Sequence, residues 1–315
     1  MTAHASPAEP PLPASSVDPW ARSTGFRLAL AAGSLLAAIA FSRYLGPDAN
    51  WDLRNYHYYN GRAILTLSFL DDVAPAGIQT YLNPVVDIPI YVFTNLFGSA
   101  WGLILWVAIL QWVCWFAVWR FTTVFEPLRA SLTLRVAAFV FALCGSGAAS
   151  LAFTTLGDWV VAALLCEATT RLFAWHREPG VRRHLVYAGF WMGIALGVKL
   201  TSAVFVIAIV IATLVAFGIR TGVKLAQGGA VGLLVLAVPW MAILFVRFGS
   251  PVFPFYNNIF RAGSAPSSNL DDARFGARSI RDVVSFPFDV TESTACFRPS
   301  SATANVGRRA RSPSR

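Results

Sequence analysis

Long, nearly uninterrupted apolar runs, separated by short polar breaks, constrain this chain more than any other feature. A soluble helix needs only one apolar stripe, so runs of this kind exceed what a soluble core requires. In hydrocarbon every backbone N–H and C=O must be satisfied by the protein itself, so a spanning segment is a helix or a strand of a closed barrel. Barrel strands alternate in polarity over about ten residues, and these runs do not. The expected fold class is all-α, a polytopic transmembrane helical bundle. Only 13% of the residues are charged, about half the share usual in soluble domains.

The runs suggest seven spans, near residues 26–45, 101–119, 134–155, 158–175, 185–198, 200–219 and 226–246. The fifth is shorter than the roughly 20 residues needed to cross. Gly193, Gly197 and Lys199 nevertheless interrupt residues 185–219, which favours two spans over one bent helix. The first run could be a signal peptide, but its long polar leader and the lack of a small-residue cleavage site favour an uncleaved helix. Glu167 and Arg171 stand four residues apart within a span, a spacing that pairs them.

The positions of the basic residues orient the bundle. With the N-terminus in the cytoplasm, the inside segments carry Arg22, Arg27, Arg120, Arg129, Arg135, Arg171, Arg177, Arg182, Arg183, Arg220 and Lys224. Ahead of the tail, the outside segments carry only Arg43, Arg54, Arg62, Lys199 and Arg247. That is the positive-inside pattern. It accounts for the net charge of +9 without nucleic acid, since no basic face interleaved with aromatics is present. Cys114, Cys144, Cys166 and Cys296 show no paired spacing, which argues against a disulfide framework or a cysteine metal site.

The acidic residues have the opposite bias: Asp48, Asp52, Asp71, Asp72, Asp87 and Asp158 all fall outside. Most lie in the first outer loop, 46–100, which reads GPDANWDLRNYHYYNGRAIL and later DDVAPAGIQTYLNPVVDIPIYVF. Connections this long are usually functional or disordered, and the density of Tyr, Trp, Asn and Pro argues for order. Asp52 can cap a helix that puts Tyr56, Tyr59 and Ala63 on one face, and a second helix can start near Pro84. Both are expected to be amphipathic and to lie at the membrane interface. Asp48 and Asp52, beside Arg54 and His57, form a group able to activate a hydroxyl and hold a phosphate.

A first span followed by Asp in a Tyr-rich outer loop resembles the GT-C superfamily of membrane glycosyltransferases. TTLGDWVVAALL, GIALGVKLTSAVF, RFGSPVFPFYNNIFRAG and the Tyr-Leu-Asn-Pro element at Tyr81–Pro84 add to the likeness. Many members of the superfamily have more spans than seven, together with a soluble outer domain.

The resemblance implies transfer of a sugar from a polyprenyl-phosphate donor to an envelope acceptor, at the outer face of a bacterial inner membrane. It implies Asp52 as the catalytic base and Asp48 as the second choice. Arg54, His57, Asp158 and Lys199 would bind substrate, with Arg247 as a further cation for the phosphate. A divalent cation shared by Asp48, Asp52 and Asp158 stays open beside a metal-free reaction. For Asp158 an N-cap, and for Lys199 a snorkelling side chain, are the simpler readings. Two other functions compete: a non-catalytic membrane subunit of an envelope-assembly complex, and a transporter or lipid flippase, which would want polar groups at mid-membrane.

The organisation expected is a disordered cytoplasmic tail at 1–25, a transmembrane core at 26–247 and an outer C-terminal segment at 248–315. From about residue 290 the apolar pattern gives way to an Arg- and Ser-rich stretch. A disordered tail, or a truncated chain ending in a shifted reading frame, is expected there.

Overall fold

The structure is a computed structural model and describes residues 24–268, together with 279–281 and 284–285. Of the tail expected at 1–25, residues 1–23 lie outside the described residues, as does the stretch beyond 290, while Thr24 and Gly25 already belong to a helix. Among the described residues all regular structure is helical. In chain order the α-helices are α1 (Thr24–Leu45), α2 (Tyr58–Leu65), α3 (Ile88–Phe97), α4 (Ser99–Phe121), α5 (Glu126–Ala130) and α6 (Leu132–Cys144). They continue with α7 (Ser146–Leu151), α8 (Asp158–Arg177), α9 (Arg183–Val198), α10 (Ala203–Phe217), α11 (Ile219–Phe248) and α12 (Asn257–Phe260).

Among the described residues four helical segments are long and apolar enough to cross a membrane: Thr24–Leu45, Ser99–Val124, Leu200–Phe217 and Ile219–Phe248. The span expected at 134–155 is not one helix. Its chain leaves helical geometry at Gly145 and again after Leu151, which splits it into α6 and α7. The break expected at Lys199 is present: this residue is extended, at φ −151° and ψ 112°, between α9 and a 3-10 turn. The inside loop expected around Arg220 and Lys224 is absent, because Gly218 alone, at φ 80°, separates α10 from α11. Arg220 and Lys224 therefore sit in the first turns of α11.

Neighbouring helices pack as α1 on α4, α4 on α8, α8 on α9 and α9 on α11. The α9–α11 seam is the tightest. Gly189, Gly193 and Gly197 recur every fourth residue on α9 and meet the stretch Leu225–Ala237 of α11. A Cβ on Gly193 would strike the Gly229 carbonyl, and one on Gly232 would strike the Phe190 carbonyl. Small residues at this spacing let backbones touch, the usual way in which helices associate where burial of apolar surface gives no drive. Beside the seam, Ala168, Leu172, Leu185, Ala188, Met192, Val206 and Leu225 form one buried cluster. The Glu167–Arg171 pairing is present at 2.7 Å, and Arg120 adds a second ion pair to Glu167 at 3.0 Å.

The chain divides into two units at the Phe253–Pro254 junction. In the second unit the buried Asn257 amide donates to the carbonyls of Ala262, Ala265 and Pro266, and its oxygen accepts from Ala262 N–H. One side chain thus closes a short polar loop.

Candidate functional site

The segment between α1 and α4 is fastened to several helix ends by polar clasps. Asn83 donates from one amide to Gly197 O at 2.9 Å and Leu236 O at 3.0 Å, which ties the Tyr-Leu-Asn-Pro element to both members of the glycine seam. Trp240 donates its indole N–H to Tyr81 O at 2.9 Å. Arg247 donates to Asp72 O and lies against the Phe69 and Phe248 rings. Arg247, expected as a cation for the phosphate, thus also anchors this segment. Tyr59 donates to the Asp72 carboxylate at 2.8 Å.

Asp48 is used in the same way. Its carboxylate accepts from the Thr155 N–H and hydroxyl, both at 2.8 Å, and from the Asn50 backbone and side-chain amides. This joins the exit of α1 to the entry of α8. A carboxylate with four donors has its lone pairs committed, so Asp48 reads as a clasp rather than as the second base.

Asp52 is different. The cap expected of it belongs to Asn50, whose Oδ1 accepts Leu53 N–H at 2.7 Å. Asp52 itself is helical and makes no capping hydrogen bond. A π-helical turn, Leu53–His57, follows and runs into α2. Such a wide turn inserts a residue and re-aims the side chains it carries, and it is frequent at functional sites. It directs Tyr56 among three carboxylates. Burial first, then Asp52, Asp87 and Asp158 in that order, push the Tyr56 phenol well above its ordinary value. Near neutral pH Tyr56 therefore keeps its proton.

The fourth participant arrives from far along the chain. Gly61, one turn after His57, faces the backbone of Asp87 so closely that a Cβ would strike the Asp87 carbonyl. This approach allows His57 Nδ1 to reach Asp87 Oδ1 at 2.6 Å. Both residues are buried, at 4% and 2% exposure. Burial pushes the Asp87 carboxyl above its ordinary value, and the His57 contact offsets that only in part. His57 Nε2 is buried and has no partner among the described residues. Sequence reading selected His57 but missed Asp87 as its partner. The available signal was a lone acid inside VVDIPIYVF, since a charge in such a setting must be paired.

Asp158 is the first residue of α8, and the cap position belongs to Gly157 at φ 76°, so the N-cap reading is corrected. The Asp158 carboxylate instead takes the Lys199 ammonium at 2.7 Å, a half-exposed pair. That pairing also replaces free snorkelling of Lys199. Arg54 is exposed, and its side chain has no partner among the described residues. Among the described residues no three His, Cys, Asp or Glu stand close enough to hold a metal, so Asp48, Asp52 and Asp158 do not form the shared cation site.

His57 thus pairs with Asp87 and Lys199 with Asp158, and the Tyr56 phenol feels Asp52, Asp87 and Asp158, while Asp48 and Arg247 hold the segment in place. The group is rich in proton acceptors, and Arg54 lies exposed two residues from Asp52. Comparison with models of known families, with curated proteins and with solved structures returns no match.

Proposed function

We propose that the chain is a membrane glycosyltransferase that moves a sugar from a polyprenyl-phosphate donor to an envelope acceptor. The reaction occurs at the outer face of a bacterial inner membrane, with the N-terminus in the cytoplasm. The observation that supports this reading is the buried His57–Asp87 pair, drawn from segments far apart in sequence and set beside Tyr56, whose phenol also feels Asp52 and Asp158. Asp52 is the carboxylate among them without a committed ion pair, as a base must be. It accepts the proton of an acceptor hydroxyl, whose oxygen displaces the lipid phosphate and inverts the anomeric carbon.

The polyprenyl chain remains in hydrocarbon while its phosphate reaches the interface. Arg54, exposed and unpaired, neutralises the leaving group. Lys199 holds Asp158 and joins Arg54 when donor binding opens that half-exposed pair. In this reading α6–α7, α8 and α9 complete seven spans with the four longer segments, and α2 and α3 lie along the interface.

The experiment offers purified protein in lipid nanodiscs a panel of polyprenyl-phosphate sugars and follows release of polyprenyl phosphate. Turnover with one donor and an inverted anomeric product are expected. Absence of turnover with every donor sinks the reading and leaves the non-catalytic envelope subunit, which the Asp158–Lys199 neutralisation also suits. Net movement of an intact lipid across the bilayer would instead assign a flippase.

A further inference from the structure

We propose that Asp87 is a positioning residue that locks His57 in a single tautomer, so that His57 Nε2 is a ready-made acceptor for a hydroxyl of the incoming acceptor molecule. This rests on the transferase reading for the identity of the ligand, but the tautomer itself does not.

The geometry leaves one proton to be shared between Nδ1 and Oδ1 at 2.6 Å. That proton sits on Nδ1, which donates to the Asp87 carboxylate, because a bare Nδ1 would set its lone pair against a carboxylate oxygen at 2.6 Å. In the neutral ring the other nitrogen is then a bare lone pair. The opposite arrangement, with Asp87 protonated and Nε2 carrying the hydrogen, would bury an N–H without an acceptor, because Nε2 has no partner. Orphaned buried N–H groups are rarer than under-used acceptors.

An acceptor nitrogen closed off from water needs a donor to become useful. Among the described residues none supplies it: Nε2 has no partner, and the adjacent Tyr56, its ring centroid 4.2 Å from that of the imidazole, interacts with Asp52. A hydroxyl-bearing ligand brings that donor. Reaching Nε2 requires the π-helical turn that carries both rings to yield, and turns of this kind are frequent at functional sites. Asp52 then takes the reacting proton, while His57 holds a second hydroxyl of the same molecule.

The tautomer is read by 15N NMR of the full chain, labelled at histidine, in lipid nanodiscs. His57→Gln identifies the signals. Wild type is expected to show protonated Nδ1 and unprotonated Nε2 at His57 near neutral pH. In Asp87→Asn the side-chain amide can donate to Nδ1, so the proton is expected on Nε2, the effect known when a triad aspartate is made asparagine. A protonated Nε2 in wild type, or an unchanged tautomer in Asp87→Asn, overturns the assignment.

The ligand half is read kinetically. Asp87→Asn is expected to raise the KM for the acceptor roughly tenfold with kcat little changed, the signature of a lost ground-state contact. A fall in kcat at constant KM overturns it. Should Asp87→Asn not fold, His57→Gln, which keeps an acceptor oxygen, is expected to hold KM nearer wild type than His57→Leu does, and equal KM values for the two overturn it. Wild type that turns over no donor refutes the transferase reading, while the NMR result still decides the tautomer.

Discussion

The α9–α11 seam and the segment between α1 and α4 are both closely fitted, but by different means. The seam uses absence: glycines every fourth residue remove side chains, and two backbones meet. The segment between α1 and α4 uses presence: Asn83, Trp240, Arg247 and Asp48 each span a gap to a particular carbonyl or donor. A seam built on glycines suits hydrocarbon, where packing and small residues are at work. A surface held by single hydrogen bonds suits a site that must accommodate a ligand, because each clasp is modest and separately replaceable.

That contrast can be broken first at the seam. Gly193→Leu puts a side chain where the Gly229 carbonyl and Leu233 N–H already stand. Neither backbone can yield without separating the helices, so destabilisation at the top of the overpacking range, about 3 kcal/mol or more, is expected. Thermal unfolding in detergent checks this, and a wild-type melting temperature would contradict the close approach.

Next in size is the clasp of the segment between α1 and α4. Asn83→Ala removes donors from two carbonyls at once and is expected to destabilise the segment by about 1–3 kcal/mol. The readout is faster proteolysis between α2 and α3 with the helical core intact. Gly61→Ala should act on the same segment by pushing α2 off Asp87, which disrupts the His57–Asp87 pair before it affects global stability. Histidine NMR would register that as a changed His57 environment.

The pH response separates the regions further. The Tyr56 and Tyr59 phenols are held above their ordinary value, both first by burial, and then chiefly by Asp52 for Tyr56 and by Asp72 for Tyr59. A raised folded value means that the stability linked to these phenols is fully present below the unfolded value of about 10 and is lost as pH climbs through the folded one. Alkaline titration should therefore loosen the segment between α1 and α4 ahead of the glycine seam, and Tyr56→Phe together with Tyr59→Phe should remove the difference. The smallest effect is expected from Lys199→Met. The Asp158 pair is half-exposed, so its loss should change stability by less than about 1 kcal/mol while altering donor binding.

The apolar runs made the helical bundle legible, because hydrocarbon admits few alternatives. The break at Lys199 and the Glu167–Arg171 pair were equally legible, since both depend on residues close in sequence. What escaped depends on distance. Nothing near Asp48 indicates Thr155 as its partner, and nothing near His57 indicates Asp87, because those pairs are set by how helices stack. The split at Gly145 was missed since apolar content alone does not register a backbone that leaves the helix. The π-helical turn was hidden for a related reason: its residues would read equally well as ordinary α-helix, and an inserted residue changes the aim of Tyr56 without changing composition. As a result, Asp48 ranked directly behind Asp52 as a candidate base in the sequence, whereas the two have different surroundings in the fold.

That difference is the claim most worth testing. Transfer from a polyprenyl-phosphate sugar should be measured side by side in wild type, Asp52→Asn and Asp48→Asn, with melting temperatures recorded for each. Asp52→Asn is expected to melt like wild type and lose turnover by roughly 10²-fold or more, as removal of a general base does. Asp48→Asn is expected to melt earlier and retain most of its turnover while folded. Turnover that survives in Asp52→Asn, or is lost in Asp48→Asn at an unchanged melting temperature, would contradict the division of labour between the two carboxylates.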